Sequence, residues 1–146
     1  MDQRLSLLSI GVKSIAVARA FYVDGLGWNP TGPSGDTILF FQLPGFVFSI
    51  TTHQHLAGDM TVSPSPAMFR QGSYRGFSLA CNVHSRDEVM QTIVAAENAG
   101  GVVLKHPTET DWGGYSGYFA DPDGNAWEVA HAPGWVITSD GHTIMP

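Results

Sequence analysis

The sequence predicts an α+β fold: two copies of one module, each running strand, helix, then three strands, forming a curled mixed sheet around a cavity. Three observations carry this. Two segments of strand period, Leu5 to Val12 and Phe77 to Val83, are each followed by a serine N-cap and a helical stretch. The halves superpose: Val12 falls on Val83 and Ser14 on Ser85 at one offset, and Gly45 to Ile50 falls on Gly124 to Val129 at a slightly longer one. The 17 glycines and 9 prolines supply many turns, which favours strands over a helix bundle.

Each element has a local reason. In the first strand Leu8, Ile10 and Val12 share one face, and Leu7, Ser9 and Gly11 the other. Ser14 caps a helix from Ile15 to Leu26, ended by Gly27, with Ala18, Phe21, Tyr22 and Leu26 at helical spacing. Thr37 to Leu43 and Phe46 to Thr52 are apolar strands joined by a tight Pro44-Gly45 turn. Residues 53–76, with Pro64, Pro66 and Gly72, read as a linker. Leu79, Cys81 and Val83 then share the helix-covered face of the next strand, which makes Cys81 a small buried hydrophobe. Ser85-Arg86-Asp87-Glu88 matches a capping box, and Val89, Ile93 and Ala96 form the buried stripe of the helix before Gly100-Gly101. Val102 to Lys105, Tyr118 to Asp121 and Ala126 to His131 complete the module. Pro122-Asp123-Gly124 turns between the last two, and Asp121 and Asp123 bond backbone amides there.

The expected organisation is a single domain, 1–146: module 1 about 5–52, the linker 53–76, module 2 about 77–131 and a C-terminal tail 132–146. With 43% hydrophobic and 14% charged residues, the chain folds rather than staying disordered. Seven Lys+Arg against 13 Asp+Glu give a net charge of −6 without any basic run, which argues against nucleic acid and anionic membrane surfaces as partners. One cysteine permits no internal disulfide. The apolar run after Met1 to Arg4 is too short for a signal peptide, so the expected location is cytoplasmic.

Alternation sends Trp127 and Val129 under the helix and turns Ala126, Glu128 and Ala130 to the concave face. Val47, Ser49 and Thr51 do the same in the matched strand, and Leu7, Ser9, Ser78, Ala80 and Asn82 complete the expected cavity lining. Ala20-Phe21-Tyr22 ahead of Gly25-Leu26-Gly27, and Asp121-Pro122-Asp123-Gly124-Asn125-Ala126-Trp127-Glu128, resemble the paired signatures of the vicinal oxygen chelate superfamily. That group includes glyoxalase I, bleomycin-resistance proteins, extradiol dioxygenases and fosfomycin-resistance enzymes. The resemblance spans Leu5 to His131 and implies paired βαβββ modules.

Catalytic members of that group hold a divalent metal with ligands on the first and fourth strands of each module. By position these are Leu7, Ser49, Ser78 and Glu128, of which Glu128 alone is a ligand type. The resemblance therefore implies a largely metal-free cavity with no cofactor, a small-molecule partner and a homodimer, closest in kind to the bleomycin-binding members. The candidate ligand-binding residues are Leu7, Ser49, Ser78, Asn82, Trp112, Tyr115, Tyr118 and Glu128. Glu128 is also the candidate catalytic base under the alternative reading, a lyase, isomerase or dioxygenase-like enzyme or one with a non-standard metal site. The loop Trp112 to Tyr118 is neither a phosphate loop nor a nucleophile elbow: a strand follows its glycines, and Tyr118 stands where the second glycine of G-x-S-x-G belongs. His53 and His55, at i, i+2 after a strand, could face one side, but with no third ligand they read as exposed loop histidines.

Overall fold

The computed structural model describes residues 1, 3, 5–63 and 75–146. They fall into two compact units that divide at residues 70 and 71. Each unit is α+β with its own curled mixed sheet.

In the first unit, β1 (Leu7–Val12) leads into helix α1 (Ile15–Arg19), which runs on as a π-helical stretch (Ala20–Gly25). The Ser14 hydroxyl accepts from Val17 N at 3.4 Å. The wide turn shows in Leu26 N donating to Phe21 O, five residues back, at 2.9 Å. Gly27 then takes φ +73°, which a side chain tolerates poorly. Ile15, Ala18, Phe21 and Tyr22 are the buried stripe. β2 (Ile38–Leu43) and β3 (Phe46–Thr52) form a hairpin, with Pro44 and Gly45 (φ +81°) in the pattern of a type II turn. The sheet order is β1-β3-β2, with β1 parallel and β2 antiparallel to β3. Its core is aromatic: Trp28 meets Phe41 and Phe48 at 5.3 and 5.9 Å between ring centroids, and Tyr22 edge-packs on Phe48 at 6.2 Å.

Two expectations are corrected here. Two strands, not three, follow the first helix. The stretch 28–36 bonds β2 through Thr31 N to Phe40 O (2.7 Å), Gly35 N to Ile38 O (2.8 Å) and the Thr31 and Ser34 hydroxyls, but it forms no strand, because Pro30 and Pro33 lack the N–H groups a ladder needs. The 53–76 linker begins with a helix, α2 (His53–Asp59), capped by the Thr52 hydroxyl, which accepts from His55 N at 3.2 Å. Only Ala57 of this short helix is buried, so its sequence shows no stripe. Pro64, Pro66 and Gly72 lie outside the described residues.

In the second unit, β4 (Leu79–Asn82) precedes α3 (Arg86–Asn98), then β5 (Val102–Glu109), β6 (Tyr115–Ala120) and β7 (Ala126–His131). This is a full βαβββ module in the order β4-β7-β6-β5, with β4 parallel to β7. The Ser85 hydroxyl accepts from Glu88 N at 3.2 Å, and the Glu88 carboxylate accepts from His84 N at 3.0 Å. Val89, Ile93 and Ala96 are buried against the sheet. α3 lies over β5, β6 and β7. Cys81 is therefore exposed, not buried as expected: β4 is the edge strand beyond the helix. β5 outruns its expected end at Lys105 because an edge strand tolerates Pro107, with register shifts between Val103 and Thr108. β6 starts at Tyr115, earlier than expected.

The β6–β7 turn is closed by a buried carboxylate. Asp121 Oδ1 accepts from Asp123 N (3.0 Å) and Asn125 N (2.8 Å), and Oδ2 accepts from Asn125 Nδ2 (2.8 Å). Arg75 donates to Asn125 Oδ1 (2.8 Å) and to the Asp123 carbonyl (2.6 Å). The tail is ordered as well: β8 (Val136–Ile137) pairs antiparallel with β9 (Thr143–Ile144). Thr138 and His142 both contact the Asp140 carboxylate at the hairpin's tip.

Candidate functional site

The second unit carries a cavity of about 760 Å³. One wall is the sheet face turned away from α3. Along β7 the alternation places Trp127 and Val129 on the buried helix side and Glu128 and Ala130 toward the cavity. Ala80 stands opposite Glu128 and Asn82 opposite Ala130 in the parallel register of β4 and β7. Tyr118 stands opposite Glu128 on the other side, in β6. Glu128 is thus flanked by a methyl group and a phenol.

The Tyr118 phenol lies beside the Glu128 carboxylate across the β6–β7 ladder. Desolvation first, and then that contact and the negative charge beside it, hold the Tyr118 phenol above its usual range. The phenol is thus a neutral O–H group available as a donor beside the carboxylate.

Trp112 reaches the cavity from the β5–β6 turn. That turn is tight: Thr110 N donates to Gly114 O (2.9 Å), and Gly114 N donates to Thr110 Oγ1 (2.9 Å). Gly113 takes φ +85°. The Trp112 indole lies over Gly114, where a Cβ would stand 1.7 Å from its Cζ3. The two glycines are thus the reason the indole can fold down.

The opposite wall comes from the segment after β7: Ala132, Pro133, Trp135, Thr143 and Pro146. The sequence reading missed these residues. The available signal was Pro133-Gly134-Trp135, a turn with Gly134 at φ +88° that delivers a large aromatic just beyond the last strand. A smaller pocket of about 80 Å³ shares Asn82, Ala132 and Trp135 with the cavity and adds His84 and His131.

Of the candidate residues, Asn82, Trp112, Tyr118 and Glu128 line this one cavity. Tyr115 is on the other face of β6, with the Arg86 guanidinium 5.5 Å from its ring centroid. Ser78 is exposed ahead of β4. Leu7 and Ser49 belong to the first unit, where the fully buried Ser49 is paired with Ser9 across β1 and β3, hydroxyl to hydroxyl at 2.7 Å.

The four positions that correspond to metal ligands do not suit a divalent ion. Leu7 offers carbon only, the Ser49 hydroxyl is engaged by Ser9, Ser78 is an exposed neutral hydroxyl, and Glu128 is the one carboxylate among the four. His53 and His55 sit in the first turn of α2, where i and i+2 point to different sides. His53 packs on Gly11 of β1, and His55 faces Asp59 at 3.7 Å. Among the described residues no three His, Cys, Asp or Glu side chains cluster as a metal site, and no helix is long and apolar enough to cross a membrane.

A family model, Glyoxalase/Bleomycin resistance protein/Dioxygenase superfamily, matches residues 4–129. The chain is 34% identical to a glyoxalase-related enzyme from Fulvimarina pelagi, with 98% of each chain covered and a TM-score of 0.88. A glyoxalase/bleomycin resistance protein/dioxygenase family enzyme from Burkholderia phytofirmans PsJN is 22% identical, covering 88% of this chain and 98% of its own, at a TM-score of 0.73. A lactoylglutathione lyase from Agrobacterium tumefaciens is 21% identical over 90% of this chain and 95% of its own, at 0.65. No curated protein matches the sequence.

Proposed function

The chain belongs to the glyoxalase/bleomycin resistance protein/dioxygenase superfamily, and on that premise we propose that it binds a flat or hydrophobic small molecule, without a metal, in the cavity of its second unit. The observation that carries the reading is the lining: two indoles, Trp112 and Trp135, stand with Ala80, Ala130 and Pro133 around a few polar groups. Concave, largely apolar sites with few converging polar atoms are what drug-sized ligands occupy. The donor chemistry at Leu7, Ser49 and Ser78 supports binding without a metal. The protein acts in the cytoplasm as a homodimer, and light scattering giving a monomer at micromolar concentration would count against that assembly.

The test is native mass spectrometry of the purified protein, followed by identification of what co-purifies. Trp112→Ala should lower occupancy of that compound about tenfold, since base-like stacking on one aromatic contributes about 1–3 kcal/mol. Occupancy unchanged by Trp112→Ala would sink the assignment. One observation favours a second reading, an enzyme: a carboxyl, Glu128, and a phenol, Tyr118, stand opposite each other in the cavity wall. If Glu128 is a base, Glu128→Gln abolishes turnover while sparing binding.

A further inference from the structure

Taking the cavity of the second unit as the binding site, we propose that its ligand is an organic cation carrying a flat ring, seated against the indoles with its positive charge at Glu128. The charge balance of the wall points there. Among the described residues lining the cavity, Glu128 has the one acidic side chain; no lysine, arginine or histidine lines it. The residue opposite it in β4 is Ala80, whose methyl group offers no counter-charge. Tyr118, opposite it in β6, can supply one donor. A carboxylate has two oxygens and about four lone-pair directions, so most of its capacity still faces the cavity.

A carboxylate partly withdrawn from water beside apolar groups is costly to keep unless something positive meets it. The aromatic groups agree in sign. Indole and phenol faces are negative, and trimethylammonium-type and other soft organic cations are drawn to them. Trp112, Trp135 and Tyr118 with Glu128 thus present one polarity from several sides of the same space. A neutral ring would use the indoles and leave the carboxylate unmet. An anion would be repelled by it.

Calorimetric titration with three probes sharing one ring separates these cases: N-methylquinolinium, quinoline and quinoline-4-carboxylate, at mildly alkaline pH and low salt. The cation should bind about tenfold tighter than quinoline, with the carboxylate weakest. Added salt should erode the cation's advantage and relieve the carboxylate's disadvantage, leaving quinoline unchanged. Glu128→Gln should bring the cation down to quinoline's affinity and leave quinoline within about twofold. Ala80→Lys, which sets an ammonium opposite Glu128, should do the same and covers the case in which Glu128→Gln fails to fold. A cation no tighter than quinoline, or a preference surviving in both variants, overturns the inference while the binding reading stands. If none of the three probes binds, the inference also fails. The site itself fails only if Trp112→Ala also leaves the co-purifying compound in place.

Discussion

Gly114 decides where Trp112 can lie. Its missing Cβ is the space the indole occupies, so Gly114→Ala should push the ring off the turn without disturbing the strands. The obstacle is the far end of a flexible side chain, and stability should change by less than about 1 kcal/mol. Ligand affinity should fall as far as in Trp112→Ala, and equal affinities for wild type and Gly114→Ala would show that the indole's position is irrelevant. Tyr118 offers a second residue-level check. Its phenol is held above the ordinary value by desolvation and by Glu128. A raised folded-state pKa means that the contribution to stability is full below the unfolded pKa and is lost as pH rises through the folded one. Near-ultraviolet titration of phenolate, with Tyr118→Phe as the subtraction, should show this tyrosine ionising at higher pH than a tyrosine free in water. Glu128→Gln should bring it part of the way back toward the ordinary tyrosine range, because the burial remains.

Among the elements, the β6–β7 turn holds the most concentrated polar network. Asp121 accepts three hydrogen bonds from Asp123 and Asn125, all buried. Asp121→Ala leaves those donors unmet and should cost about 3 kcal/mol in chemical denaturation, with Asp121→Asn intermediate. A loss below about 1 kcal/mol would mean that the turn is held by other contacts. The turn, both capping serines and the stripes of α1 and α3 were legible because each is a local pattern of a few residues. What was not legible depends on neighbours distant in sequence. α2 exists because Thr52 caps it and His53 packs on Gly11, not because its residues form a stripe. The exposure of Cys81 follows from strand order, which alternation does not encode. β8 and β9 are two residues each, too short for any periodicity to show. At the site, alternation put Asn82 and Glu128 on one face, and both line the cavity, whereas Tyr118 was singled out as a loop aromatic and the wall containing Trp135 depended on the path of the tail.

For the molecule as a whole, the two units carry different chemistry on related frames. The first closes Ser9 on Ser49 over an aromatic core, and the second opens a cavity around Glu128. Elemental analysis after gentle dialysis should find no stoichiometric zinc, nickel, iron or manganese. Near one metal per chain would reverse the reading of Leu7, Ser49 and Ser78. The placement of the four tryptophans adds a consequence of its own. Trp28 is packed in the aromatic core of the first unit, and Trp127 is stacked on Phe119 in the second at 6.3 Å. Trp112 and Trp135 remain 55% and 39% exposed at the cavity. The chain therefore carries its own optical labels. Emission at the red end of the spectrum comes mainly from the two wet indoles and reports occupancy, while the blue-shifted emission of the packed pair reports the integrity of each unit, so binding and unfolding can be followed separately in one unlabelled sample.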